Sequence, residues 1–371
     1  MTKPMQLHHL TTHCPLHSAR QYWISAWIVF WASIWLPGCV YWTENPPPAS
    51  QHAQTLNHYD DAWENRWVSH LQSIYKRTSL AGGDTVKTPG FVVHLGDSMT
   101  YANAYGQVSE HGVHDFQDTV IWSQSQGGND SAPNNKNGWQ LARFDHPVGG
   151  RSYTAISGIT AHHYLYGNSP SGNSLHGDGQ HNVARPPYNP YSLKTVLANR
   201  VHAFDQHEIK TANPNETPPP PIAQLHDSVI AIVLLGSNDI AQGRTPEAIA
   251  GDLKNISVLL IEADIMPVLS TIPPRYGLEA EVMATNHRIQ ALAQELALPL
   301  IGFWEEVTQR QPKGQWFGTL ISDDGIHPTA TPYRDPSQYP DILNQSGYTL
   351  RGYLTILKLD EIRKKVITAI K

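Results

Sequence analysis

Val229-Ile-Ala-Ile-Val-Leu-Leu235 is an unbroken apolar run of strand length, and the alternation it opens decides the fold. Gly236-Ser-Asn-Asp239 ends the run. Thr245-Pro246 then offers a helix cap and a first-turn proline. Ile249, Leu253, Ile256 and Leu260 recur at helical spacing. Met266-Pro-Val-Leu-Ser-Thr-Ile272 is a second strand, and residues 280–297 form a second helix with Val282, Ile289, Leu292 and Leu296 inward. Leu298-Pro-Leu-Ile301 is a further short strand, and a helix over about 347–369 ends the chain. Strands that are apolar throughout and alternate with helices predict a parallel sheet covered on both faces. Binding sites in such sheets lie beyond the carboxyl ends of the strands.

Upstream, Phe91-Val-Val-His-Leu95 is another buried-type strand, reached through a Gly/Thr/Pro stretch at 81–90. Before it, Asp61-Ala-Trp-Glu64 resembles a capping box. Trp63, Trp67, Leu71 and Ile74 share one helical face, so 61–77 is predicted to be an amphipathic helix. Residues 101–150 read as loop-rich, and 165–190 and 211–221 as polar, Pro-rich surface insertions.

Of the 371 residues, 40% are hydrophobic and 16% charged, enough apolar material for a sizeable core. The 27 glycines and 28 prolines point to long ordered loops. A net charge of −6 with no Lys/Arg run argues against a nucleic-acid partner. Two cysteines, Cys14 and Cys39, exclude a disulfide scaffold and any CxxC metal site.

The amino end has the layout of a secretory signal. Lys3 and Arg20 precede an apolar stretch, Tyr22 to Leu36, which leads into Leu36-Pro-Gly-Cys39 and a Pro-rich segment. The ending resembles a bacterial lipobox, in which Cys39 would carry the lipid. An uncleaved membrane anchor and simple secretion stay open beside the preferred lipoprotein. All three place the rest of the chain outside the cytoplasm, with the basic end inside. The expected organisation is signal or anchor over 1–38, tether plus amphipathic helix over 39–90, and the main α/β domain over 91–371.

Three turns carry the candidate chemistry. Gly96-Asp97-Ser98 comes after the first strand, where a serine is well placed as a nucleophile. Gly236-Ser237-Asn238-Asp239 comes after the next long strand and offers a side-chain amide. Asp324 stands three residues before His327 in one loop, so that its carboxylate can take the Nδ1 proton and leave Nε2 as a base. Singly, each has a plain structural explanation: a helix cap, an Asx-turn, and a loop Asp beside an exposed His.

Together these blocks resemble the SGNH hydrolases, the GDSL lipase/acylhydrolase family, whose fourth block is matched by Gly158. Asn137-Gly-Trp139, Arg151-Ser-Tyr-Thr-Ala155 and Ser270-Thr-Ile-Pro-Pro274 are similar to segments of a bacterial secreted subgroup. The resemblance implies a flavodoxin-like three-layer α/β/α fold of about five parallel strands. It also implies a serine esterase that needs no cofactor or metal. Ser98, His327 and Asp324 would form the triad, and the Ser98 and Gly158 N–H groups with the Asn238 amide would hold the oxyanion. Asp97, Gly236 and Asp239 would brace their loops.

No Gly-x-Ser-x-Gly elbow is present, which disfavours an α/β-hydrolase. No Gly-Asn-His block comes after the serine, which disfavours a dinuclear metallophosphoesterase. His94 is expected to be a packed strand residue, and His162 and His163 are no better as metal ligands. The expected substrates are O-acyl groups on glycans or short-chain lipid esters, with Trp122, Trp139 and Trp316 either stacking on sugars or packing loops. An acyltransferase with a polysaccharide acceptor remains the alternative, and a non-catalytic envelope binding protein the third.

Overall fold

The computed structural model describes residues 61–87, 90–101, 121–123, 139–141, 158–167, 193–194, 197, 225, 228–331 and 338–370. The leader, Cys39, the tether, the insertion at 211–221 and most of that at 165–190 lie outside the described residues.

Six parallel strands form one sheet: β1 (Phe91–Gly96), β2 (Ile121–Ser123), β3 (Trp139–Leu141), β4 (Ile230–Leu234), β5 (Met266–Ser270) and β6 (Leu300–Ile301). Their order is β2-β3-β1-β4-β5-β6. Every residue of β1, β4 and β5 is buried. Successive strand residues face opposite sides, so complete burial means that both faces are covered. The fold is therefore the expected α/β type. Among the described residues its sheet has six strands where about five were expected, because β2 and β3 lie within the stretch read as loop-rich. At three residues each they carry no periodicity, and only pairing reveals them: β3 aligns Gln140 with Phe91 of β1.

The helices are α1 (Asp61–Lys76), α2 (Ser98–Tyr101), α3 (Ala161–Tyr166), α4 (Ser237–Ala241), α5 (Pro246–Glu262), α6 (Glu279–Glu295), α7 (Phe303–Arg310) and α8 (Gly347–Ile362). α1 buries Trp63, Trp67, Leu71 and Ile74, the four residues of its predicted face. The Thr245 hydroxyl caps α5 by accepting the Ala248 N–H at 3.2 Å, with Pro246 in the first turn; such a cap contributes about 1 kcal/mol. Ile249, Leu253, Ile256 and Leu260 are buried on this helix. On α6, Val282, Ile289 and Leu292 are buried, while Leu296 is only partly covered. His94 is fully buried in β1, as a packed strand histidine.

Without its outer strand β2, the sheet runs β3-β1-β4-β5-β6. The chain winds one way from β1 to β3 and the other way from β4 onward. That reversal opens a crevice between the carboxyl ends of β1 and β4. Register aligns Gly96 with Leu234 there, so the turns after these two strands lie side by side. No helix among the described residues is long and apolar enough to cross a membrane.

Candidate active site

Gly96 ends β1 and Ser98 opens α2, so the chain must turn sharply. A Cβ on Gly96 would lie 2.0 Å from the Thr100 hydroxyl oxygen, a contact only glycine avoids. The Asp97 carboxylate accepts the Met99 N–H at 3.0 Å. Arg351 of α8 donates to the Met99 carbonyl and to the Thr100 hydroxyl, both at 2.6 Å. This buried guanidinium thus pins the short helix behind the serine. It was invisible to the sequence, since an arginine on the final helix carries no local sign of its target.

Ser98 Oγ lies 2.9 Å from His327 Nε2, across 229 positions of sequence, and His327 Nδ1 lies 2.6 Å from Asp324 Oδ2. The other carboxylate oxygen, Oδ1, accepts the Ser322 hydroxyl at 2.7 Å, the Ile326 N–H at 2.8 Å and the His327 N–H at 2.9 Å. Partial burial alone would raise the Asp324 carboxyl. The hydrogen bonds from His327, Ile326 and Ser322 outweigh it and hold the group well below the usual range. An ionised carboxylate can only accept, so the proton sits on Nδ1 and the Nε2 lone pair faces Ser98. The loop closes on itself, with the Ser322 N–H donating to the His327 carbonyl at 2.8 Å.

The other two blocks are tied together. Asn238 donates its amide to the Ile159 carbonyl at 3.0 Å and to the Asp97 carboxylate at 3.3 Å. Asp239 accepts the Ala161 N–H at 2.7 Å and pairs with Arg244, which also reaches Asp252 at 2.7 Å. Burial raises the Asp239 carboxyl, and these partners only partly offset that. Gly158 and Ile159 lead into α3, whose cap is the Thr160 hydroxyl accepting from the His163 N–H at 3.1 Å. Gly236 has φ of 119°, and a Cβ there would lie 2.8 Å from Ile272. Asp97 and Asp239, expected to brace their loops together with Gly236, thus hydrogen-bond to the Met99 and Ala161 backbone N–H groups. In this arrangement the Asn238 amide is already engaged, and the longer contact to Asp97 is the weaker of the two.

Asp97 is only 1% exposed. Burial pushes its carboxyl up to about 6, against the Met99 N–H and the charges of Arg351, His327 and Arg275, which pull it down. Between the ordinary value of 3.8 and about 6, the folded protein holds a proton that the unfolded chain has released. The stability from this group is complete below that window and is lost as pH rises through it, about 3 kcal/mol in all. Asp97→Asn is expected to remove this dependence. Its Tm relative to wild type is then more favourable at about pH 7.5 than at about pH 4. Equal offsets at both pH values in thermal melts would rule out a raised Asp97 carboxyl.

Two other features bear on the site. Trp316 is buried, so it packs its loop and offers no face to a sugar; the side chains of Trp122 and Trp139 lie outside the described residues. Arg275, next to the Ser270-Thr-Ile-Pro-Pro274 segment, reaches the site by donating to the Ser237 carbonyl at 3.1 Å and hydroxyl at 3.0 Å. That strand end was a signal for it, but nothing local said where the side chain goes. Among the described residues no cluster of three or more His, Cys, Asp or Glu is placed to hold a metal. His162 instead pairs with Asp252 at 3.3 Å.

A profile of the GDSL-like Lipase/Acylhydrolase family matches residues 94–334, more than half of the chain. Among solved structures, the chain is similar to a carbohydrate esterase family 3 protein from Talaromyces cellulolyticus, at 15% identity and TM-score 0.40, covering 74% of this chain and 99% of that one. It is similar to an acetylxylan esterase from Geobacillus stearothermophilus, at 9% identity and TM-score 0.39, over 76% and 96% of the two chains. A GDSL-like lipase from Bacteroides thetaiotaomicron VPI-5482 gives 14% identity and TM-score 0.38, over 80% and 98%. Comparison with curated proteins finds no match. The turns bearing Ser98, Asn238 and His327 all fall inside the matched span, and the chain belongs to the GDSL-like lipase/acylhydrolase family of ester hydrolases.

Proposed function

We propose that the chain is an extracytoplasmic serine esterase that hydrolyses carboxylic esters, O-acetyl groups on glycans or short-chain lipid esters, through Ser98, His327 and Asp324. The observation that carries this is the unbroken hydrogen-bond chain from Ser98 Oγ through the imidazole to Asp324, at 2.9 and 2.6 Å. Ser98 Oγ attacks the acyl carbonyl while His327 Nε2 takes its proton. The tetrahedral oxyanion is held by the Ser98 and Gly158 N–H groups and by the Asn238 amide, which gives up its long contact to Asp97. The imidazolium, steadied by Asp324, then protonates the departing alcohol. Water, deprotonated by His327, attacks the acyl-enzyme and frees the carboxylic acid and the serine.

Reaction with a fluorophosphonate tests the nucleophile. The adduct is expected on Ser98 by peptide mass spectrometry, and labelling elsewhere, or none, would defeat the proposal. Asn238→Ala is expected to lower kcat about a hundredfold with little change in KM, since an oxyanion donor acts mainly in the transition state. A fall of less than threefold would remove Asn238 from that role. Product analysis with an added carbohydrate acceptor separates hydrolysis from acyl transfer, because water and a sugar hydroxyl would resolve the same acyl-enzyme.

The proposed location rests on the basic and apolar leader and on Leu36-Pro-Gly-Cys39. The mature protein would then be tethered through a lipidated Cys39. The mass of its amino-terminal peptide decides between that form and one that begins at Met1.

A further inference from the structure

Arg275 is only half used by the protein around it. Its Nη1 is held by the Ser237 carbonyl and hydroxyl, at 3.1 and 3.0 Å, and among the described residues Nη2 and Nε have no acceptor. Two carboxylates, Asp97 and Asp324, lie within electrostatic reach. Neither takes a hydrogen bond from Arg275. Asp97 is occupied by Met99 and Asn238, and Asp324 by Ser322, Ile326 and His327. A half-buried guanidinium thus stands between the turn that carries Asn238 and the loop that carries the base, with N–H donors to spare. Asp97 and Asp324 balance the charge only at a distance, and a planar fork with unused donors suits a directly bonded anionic group.

The next residue builds a second element. The Tyr276 N–H donates to the Gly325 carbonyl at 2.9 Å, which fastens this segment to the Asp324–His327 loop. Tyr276 is 65% exposed and Phe317 38% exposed. Their ring centroids lie 4.8 Å apart at 36°. Buried Trp316 backs Phe317 edge-on, with centroids 6.4 Å apart. An exposed aromatic pair fixed to the Asp324–His327 loop, its rings tilted 36° to one another, is an apolar ledge of the kind that stacks against a sugar ring. An acyl chain would instead call for an enclosed apolar trench.

We infer that Arg275 and the Tyr276–Phe317 ledge form the subsite for the alcohol part of the ester, and that this part is a pyranose bearing an anionic group. The inference rests on the esterase proposal and narrows its substrate to acidic glycans. The ledge takes the apolar face of the ring, and the free edge of Arg275 takes the anion. The Ser237 contacts keep the guanidinium in place without using that edge.

The test compares kcat/KM for an O-acetylated uronate trisaccharide with that for an O-acetylated neutral trisaccharide. Wild type is expected to prefer the uronate, and added salt to weaken the preference. The ratio is expected to fall at least about tenfold in Arg275→Met, mainly through KM, and to be partly retained in Arg275→Lys. Tyr276→Ala is expected to raise KM for both trisaccharides several-fold relative to 4-nitrophenyl acetate. In a wild type that turns over 4-nitrophenyl acetate, three results would each overturn the inference: no uronate preference, a ratio unchanged in Arg275→Met, or an Arg275-dependent preference that appears only with an anionic phospholipid ester. Failure of the esterase proposal looks different: wild type would show no Ser98-dependent turnover of 4-nitrophenyl acetate or of either trisaccharide.

Discussion

Ser98→Ala is expected to lower kcat for ester hydrolysis on the order of 10,000-fold or more, because no acyl-enzyme can form without the hydroxyl. The protein around it should hardly notice. The turn is kept by Gly96, by the Asp97–Met99 hydrogen bond and by Arg351, none of which uses the serine side chain. Tm should therefore stay within a few degrees of wild type while turnover of 4-nitrophenyl acetate collapses. A variant that keeps a tenth of the wild-type kcat would exclude Ser98 as the nucleophile.

The second large effect is expected at Asp324. Its Oδ1 receives three donors, the Ser322 hydroxyl and the N–H groups of Ile326 and His327. In Asp324→Asn these three hold the amide oxygen at the Oδ1 position and force the NH2 group opposite His327 Nδ1. Nδ1 must then accept, so the ring proton moves to Nε2 and points at Ser98. The base is blocked while the loop survives. The expected fall in kcat is on the order of 10,000-fold, the cost of the wrong tautomer. The loop hydrogen bonds should keep Tm close to wild type. A kcat within tenfold of wild type would show that the imidazole does not depend on this carboxylate.

Several features were legible because their causes are local. The apolar runs at 229–235 and 266–272 become the interior strands β4 and β5, and helical spacing names the buried faces of α1 and α5. Asp324 and His327 share one loop, so their contact needs only three residues of spacing. Other features were hidden because their partners lie far along the chain. β2 and β3 are too short to show a period and exist only as pairs with distant strands. Nothing near residue 351 says that Arg351 will reach the Met99 carbonyl, 252 positions away. The exposed aromatic pair next to the Asp324–His327 loop is Tyr276 with Phe317, while Trp316 packs inward. Hydrophobicity alone does not tell an inward ring from an outward one in a loop.

The order of apolar and polar residues was enough for the α/β class, for the helical faces and for the three turns that carry Ser98, Asn238 and His327, since strands, helices and tight turns obey rules that act over a few residues. Convergence of those turns on one rim of the sheet came only with parallel pairing, which sets Gly96 beside Leu234 and so joins segments far apart in the chain. The same pairing placed Arg275 against Ser237 and committed the Asn238 amide to Ile159 and Asp97. Such contacts depend on how whole elements pack, and no short window of residues holds that information.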